Sequence, residues 1–384
     1  METRAVDLTS HQLMTGTISS GKLQVRLIDF RNDTRVIPFL SSHPSALIYH
    51  HPGWLNALQE ESGQECWMLA CECDDGSLCG IMPLAYTRGL PFNVANHQTK
   101  RRISSLPRTP FVGPISTSSE ATKLLLGAAV ELAKKNNTQL QIKMDSPLPQ
   151  GTRDRLICTE WRPTYVLALP KSLDQLTFGD ARSRHRVKWG VQKAVKLGLV
   201  VRLAETTADL QAWYLLYLAT MRRNFVPSRS YKLFRSLWRD LRGCGSMKLL
   251  LAEQLHSSGK TLIAGSVFLM KGKTVFYAFT GSLTRHLSTH ANDIILWEAI
   301  QNACRDGYHL FDFGEVAEDH PELVRFKTKW GSIPKPLYRH YYPYHNETTI
   351  GGTSRRLREA LGRAWQHVPL SMTARIGEWL YGYL

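Results

Sequence analysis

Two apolar-rich runs, Glu65–Cys73 and Leu78–Tyr86, meet at Asp74-Asp75-Gly76, and that pattern predicts a β-hairpin. A Pro/Gly-rich stretch from Ser105 to Pro114 follows. Glu120–Lys135 then shows helical spacing, with Leu124, Leu125, Ala128, Leu132 and Ala133 on one face, and Gln139–Lys143 reads as a strand. The order is strand, strand, helix, strand. The second half repeats it. Met247–Gln254, Thr261–Met270 and Thr274–Thr280 read as strands parted by short turns, a helix runs from Asn292 to Arg305, and Tyr308–Phe313 closes the unit. Asn292 suits an N-cap, Asp293 the positive end of the helix dipole, and Gly307 the residue after the helix. Two copies of an antiparallel-rich α+β unit are therefore expected.

Between the copies lie a short strand, Tyr165–Pro170, and two helices. Asp180–Gly198 carries Arg182, Arg184, His185, Arg186, Lys188, Lys193 and Lys196 beside a few apolar positions. Asp209–Asn224 is apolar and aromatic and ends in Met221-Arg222-Arg223-Asn224. The segment Ser354–Leu384 mixes Arg355, Arg356, Arg358 and Arg363 with leucines and aromatic residues. It has the composition of an interfacial helix, or of a helix docked over the junction of the two units.

Length and composition narrow the class. The chain has 384 residues, 43% of them hydrophobic and 21% charged, which suits a globular protein of two ordinary domains. No run approaches the roughly 18 apolar residues that cross a bilayer. The opening METRAVDLTSHQLM lacks a basic start followed by an apolar stretch, so a cytoplasmic location is expected. Seven cysteines, an odd number, fit reduced thiols. Cys66, Cys71, Cys73 and Cys79 lack the C-x2-C knuckle of structural zinc and read as core thiols, so no metal is expected. His286 and His290 likewise read as loop histidines. The net charge of +16 draws phosphates, nucleic acids or anionic headgroups without choosing among them.

The chemistry concentrates in Phe311–Gly331, FDFGEVAEDHPELVRFKTKWG. A strand that runs out into a polar loop is a common place for a reaction site. A lysine held among aromatic rings keeps its charge fixed in a partly dry site, where it can stabilise an oxyanion or hold a phosphate. Lys327, with Phe326 and Trp330 at the edge, fits that description. On composition alone a surface strand entrance with solvated lysines is the plainer reading. Asp312 and Glu315 follow the closing strand and can take a proton, or serve as turn cap and ion-pair partner.

The phrases Phe311–Gly314 and Phe326–Gly331, together with Arg184–Gly198, Tyr214–Pro227 and Ala291-Asn292-Asp293 before Leu296–Ala299, resemble FemAB-type peptidyltransferases. They also resemble the related GNAT-like domain of exopolysaccharide and cellulose biosynthesis proteins. Ser104–Pro107 with Gly113-Pro114 is similar to the first domain of that family. The likeness runs from about Tyr165 to Tyr342 and rests on the order and spacing of the phrases.

The resemblance implies two tandem GNAT-like domains, 1–163 and 164–345, and a basic aromatic helical tail, 346–384. It implies transfer of an acyl or aminoacyl group to an amine of a cell-envelope precursor, exopolysaccharide or peptidoglycan. Lys327 would stabilise the tetrahedral oxyanion, Phe326 and Trp330 would shape the site, and Asp312 or Glu315 would handle the proton. Arg184, Arg222 and Asn292 would anchor substrate. No bound cofactor is implied, only a donor co-substrate: acyl-CoA, acyl carrier or aminoacyl-tRNA. The acceptor would be a nucleotide- or lipid-linked saccharide, with the tail resting on the inner leaflet where that acceptor is lipid-borne.

Two departures matter. Glu315 stands where the family often has Arg, and the long charged helical hairpin that some Fem proteins offer to tRNA is missing. No pyrophosphate loop of the Gln/Arg-x-x-Gly-x-Gly/Ala type secures acyl-CoA either. From another class, a non-catalytic basic module binding RNA or anionic envelope polymers would explain the charge.

Overall fold

The hairpin around Asp74-Asp75-Gly76 forms as expected, Cys66–Cys73 against Leu78–Thr87, inside one continuous sheet. The computed structural model describes residues 18–20, 22–89, 101–148, 156–257, 259–317, 319–343, 365, 368–381 and 383. The first part of the chain forms β1 (Ile18–Ser20), β2 (Leu23–Ile28), helix α1 (Val36–Ser42), helix α2 (Pro52–Ser62), β3 (Cys66–Cys73) and β4 (Leu78–Thr87). Next come β5 (Arg102–Ser104), β6 (Ile115–Ser116), α3 (Ser119–Lys135), β7 (Gln139–Met144) and β8 (Ile157–Ala168). The remainder forms α4 (Ala181–Lys196), β9 (Leu199–Leu203), α5 (Thr207–Arg223), α6 (Tyr231–Leu241), β10 (Met247–His256), β11 (Gly259–Lys271) and β12 (Thr274–Ser282). It ends with α7 (Ala291–Arg305), β13 (Leu310–Glu315), α8 (Pro321–Thr328), β14 (Ile333–Tyr342) and α9 (Leu370–Tyr381).

The strands bond in the order β1-β2-β3-β4-β5-β7-β14-β8-β13-β12-β11-β10-β9, with β6 against β4. Pairing is antiparallel except for β5 with β7 and β12 with β13. Each parallel partner is reached through a helix, α3 before β7 and α7 before β13, because a parallel return needs a crossover. The expected strand, strand, helix, strand repeat is thus present twice.

Both faces of the sheet are covered, which explains the nearly continuous apolar strands. Met68 and Ala70 of β3 share one core with Leu249 and Val267 of β10 and β11, under α1, α2, α5 and α6. Leu69 and Cys71 face the opposite core beneath α3. In the second half that opposite face holds Phe268, Ile295, Phe311 and Trp330 beneath α4 and α7. Cys66, Cys71 and Cys79 are buried thiols in these cores, and Cys79 Sγ donates to the Cys71 carbonyl.

Two elements lie where the sequence shows no simple period. β14 (IPKPLYRHYY) has two prolines, yet it sits in the middle of the sheet between β7 and β8. The register shifts between Lys335 and Leu337, so Pro336 occupies an irregularity where a missing N–H costs little. α8 begins with Pro321 at its first turn and is only eight residues long. Helix α7 starts one residue earlier than expected: His290, in the left-handed region at φ 60°, precedes it, and Asn292 lies inside its first turn.

Helix α9 docks rather than standing free. The Tyr381 ring lies between two guanidinium groups, 4.5 Å from that of Arg108 and 5.3 Å from that of Arg229. Its hydroxyl donates to the Pro227 carbonyl at 2.6 Å. The basic tail residues Arg355, Arg356, Arg358 and Arg363 lie outside the described residues.

Gly281 marks where α5 crosses β12. A Cβ there would stand 2.4 Å from the Tyr217 amide nitrogen, a backbone atom that no rotamer change can move. Gly281→Ala is expected to destabilise the protein by roughly 1–3 kcal/mol through overpacking, read as a lowered urea midpoint at unchanged slope.

Candidate active site

Strands β12 and β13 pair only at Thr274–Leu310, Val275–Phe311 and Phe276–Asp312. Beyond that point β12 continues to Ser282 and β13 to Glu315 without bonding each other. A central strand without a partner on one side opens the sheet. Tyr277, Ala278, Phe279 and Thr280 are accordingly half-buried, although the adjoining stretch of β11 is fully covered. The first half has the same parallel pair, but there the gap is filled. Ser105 donates to the Gln141 carbonyl, the Lys143 amide to Ser105 Oγ, and the Lys143 ammonium closes over the Leu106 and Thr109 carbonyls at 2.7 and 3.2 Å.

Lys327 packs against the end of β13, the strand that borders the gap. It is 5% exposed. Its Nζ donates to the Gly314 carbonyl at 2.8 Å and to the Glu315 carbonyl at 3.3 Å, and lies 6.0 Å from the centre of the Tyr165 ring. Burial pushes this ammonium down to about 8, against the pull of Asp312 and Glu315. An ammonium has three N–H bonds, so among the described residues one remains for a further acceptor.

The carbonyls that hold Lys327 are aimed by the chain itself. Asp312 is 3% exposed, and its Oδ1 accepts from Thr164 Oγ1 at 2.5 Å and from the Gly314 amide at 2.7 Å. Gly314 takes φ +81°, a conformation glycine adopts without strain, and this turns the strand end toward α8. Burial raises the Asp312 carboxyl above its ordinary range, although the Thr164 hydroxyl, the Gly314 amide and Lys327 oppose it. Glu315 is more open, with its side chain 30% exposed. Its Oε2 accepts from Trp161 Nε1 at 2.8 Å and lies 3.5 Å from a nitrogen of Arg339. Burial pushes Arg339 down to about 10, and its guanidinium stacks 5.0 Å from the Trp161 ring.

A cavity of about 200 Å³ lies at the start of α7, lined by Ser282, Leu287, His290, Asn292, Phe326 and Lys329 among others. Asp293 sits in its floor, with Oδ1 taking the Lys329 ammonium at 2.6 Å and Oδ2 at 2.9 Å from His290 Nδ1. Burial pushes the Asp293 carboxyl up, but His290 and Lys329 together outweigh it and hold the group below the usual carboxylate range. Asn292 Oδ1 is buried without a hydrogen-bond partner among the described residues.

Of the residues anticipated from the sequence, Lys327, Asp312 and Glu315 come together, and Phe326 and Asn292 line the neighbouring cavity. Trp330 does not border it. It is 0% exposed and packs edge-on to Phe178 at 5.3 Å, so it supports the site from behind. Arg222 donates to the Val368 carbonyl at 3.1 Å and fastens the segment leading into α9. Its neighbour Arg223 is the one that reaches the cavity rim, donating to Ser282 O and Thr284 Oγ1. Arg184 is exposed on α4, on the side away from Trp189, whose ring meets His290 edge-on at 4.9 Å. The stripe Arg182, Arg186, Trp189, Lys193, at helical spacing, is the one whose Trp189 meets His290 of the cavity. Helical periodicity could have found that stripe; the pairing of Asp293 with Lys329 joins residues 36 apart and left no local signal.

Residues 181–327 match the family described as acetyltransferase (GNAT) domain. Among solved structures the chain is similar to FemX, with TM-score 0.62 at 16% identity, covering 83% of this chain and 96% of that one. It is also similar to the C-terminal domain of a protein described as a lysylphosphatidylglycerol synthetase from Agrobacterium fabrum, with TM-score 0.51, 11% identity and coverage of 80% and 90%. L-PGS from Bacillus licheniformis gives TM-score 0.50, 11% identity and coverage of 84% and 99%. At these identities the likeness is one of fold: GNAT-like, two units in tandem. A comparison of the sequence with curated proteins gives no match.

Proposed function

We propose, from the match of residues 181–327 to the acetyltransferase (GNAT) domain family, that the protein moves an acyl or aminoacyl group onto an amine of a cell-envelope precursor, in the opening between β12 and β13. The observation that carries this reading is the buried Lys327 ammonium, fixed by two carbonyls with one N–H uncommitted among the described residues. When an amine attacks the donor carbonyl, negative charge gathers on its oxygen, and a preorganised ammonium in a dry wall stabilises that charge more than it stabilises the neutral donor. Glu315, partly open and oriented by Trp161, accepts the proton the amine loses, directly or through water. Asp312 has a positioning role: it holds the Gly314 turn and through it the Lys327 cradle. The donor leaves as its thiol or hydroxyl once the intermediate collapses.

Envelope chemistry is supported by the resemblance to FemAB-type proteins and by the fold shared with FemX and with a lysylphosphatidylglycerol synthetase. The cavity beside Phe326, flanked by the basic stripe of α4, suits the phosphates of either a donor or a carrier-linked acceptor. Mass spectrometry of envelope precursors from cells with and without the protein tests the reading. A missing acyl or aminoacyl increment in the deficient cells is expected; identical precursor masses overturn it.

The pH profile supplies a second test. Lys327 keeps its proton to about 8 when folded and to its ordinary 10.5 when unfolded. Transfer is therefore expected to fall as pH rises through about 8. Over the same window the unfolded chain binds more protons, so stability contributed by this group rises with pH. Opposite slopes of rate and stability above pH 8 would identify this lysine; parallel slopes would point to general unfolding.

A further inference from the structure

We propose that the protein docks on an anionic phospholipid bilayer through α4 and the turn Thr284–Thr289, the surface that frames the mouth of the Phe326–Lys329 cavity. Neither segment contains an aspartate or glutamate. Arg182, Arg186 and Arg285 are exposed there; the nearest acidic group on α4 is its N-cap Asp180, which feels the charge of Arg182 and Arg186 without a close ion pair among the described residues. Two large apolar side chains stand among these cations, Trp189 at 49% and Leu287 at 49% exposure. They flank one residue, His290: Trp189 through ring contact at 4.9 Å, Leu287 through its carbonyl, which accepts from the His290 amide. The Lys193 ammonium lies 5.0 Å from the centre of the Trp189 ring, so the stem of that side chain covers apolar surface while its charge stays at the rim.

A tryptophan and a leucine ringed by cations match the boundary of an anionic leaflet. The rings and methyl groups enter the acyl edge and the cations meet the headgroup phosphates. RNA would use the cations and the indole, but an exposed leucine gains nothing from it. The orientation also brings the cavity to the bilayer surface. That consequence, an acceptor held in the membrane, rests on the proposed transfer; the docking itself does not. The described part of α9 is fixed to the body of the protein by Tyr381, in keeping with the docked of the two alternatives the sequence offers for the tail.

Sedimentation of the full chain with vesicles tests this. Binding is expected to vesicles of phosphatidylcholine with about a third phosphatidylglycerol, to weaken with salt, and to be absent from pure phosphatidylcholine. Replacing Arg182 and Arg186 by Gln should weaken partition about fivefold for each cation removed. Leu287→Ser alone should shrink the shift of tryptophan emission on adding vesicles, and Trp189→Ser with Leu287→Ser should abolish sedimentation with them, while thermal melting stays that of the parent. Failure of the parent to sediment with anionic vesicles overturns the proposal, and so does equal binding by the variants, which would place the contact elsewhere. RNA binding that depends on Arg182 and Arg186 without vesicle binding also overturns it. Loss of the envelope mass increment has no bearing on these readouts, so the two readings fail separately.

Discussion

Lys327→Ala is expected to lower the rate of transfer by about 10²–10³-fold, the usual cost of losing one preorganised donor to a developing oxyanion. The protein should still fold. The ammonium is buried at a cost, which its depressed proton affinity records, so its removal relieves desolvation even as the Gly314 and Glu315 carbonyls lose their partner. The contrast with Lys329→Ala is informative. Lys329 is bound to Asp293 in the cavity and does not touch the β13 carbonyls. Its loss should act mainly on substrate affinity, whereas that of Lys327 should act on turnover. Steady-state kinetics of both variants separate the two, and full turnover by Lys327→Ala would remove that residue from the mechanism.

Glu61→Ala is expected to cost about 3–5 kcal/mol of stability, a heavier loss than that of Gly281→Ala, because it strands buried charge. The Glu61 side chain is 0% exposed and Arg229 only 6%, with their charged atoms 2.6 Å apart. Glu61 Oε1 also accepts from the Ser230 amide at 3.1 Å, and Arg108 approaches Oε2 at 3.4 Å. The two arginines hold Tyr381 between them, so the carboxylate indirectly holds α9. Urea denaturation should show the loss at an unchanged slope if α9 stays docked. A second, earlier transition reporting on Trp379 would show that the helix detaches first.

Much of this architecture was legible in the chain. The strands flanking Asp-Asp-Gly and Lys-Gly-Lys, and the helices over Glu120–Lys135, Asp180–Gly198 and Asp209–Asn224, follow from local periodicity and capping, and they form within a residue or two of expectation. What escaped was set by partners distant in sequence. β14 looks like a proline-broken loop until β7 and β8 offer it a slot. α8 is too short for a period to emerge, and Pro321 is its main signal.

The site divides along the same line. Lys327, Asp312 and Glu315 lie within one short stretch and were found together. Whether a side chain faced the gap or the core depended on helix rotation. Trp330, three residues after Lys327, turned inward, and Arg184 lies on the side of its helix away from Trp189. The N-cap assignment of Asn292 failed because His290 adopts the left-handed conformation and starts the helix early. The lapse of pairing between β12 and β13, where transfer is proposed, has no counterpart in composition at all.

The position of β14 carries a consequence for biosynthesis. Until the ribosome has released the chain to about Tyr342, strands β7 and β8 lack the partner that joins them, and each presents a bare edge to solvent or to other nascent chains. The two halves can gather their own hairpins during translation, but the seam between them is completed only by one of the last strands made. Truncation ahead of Ile333 should therefore yield not a smaller enzyme but an aggregating one.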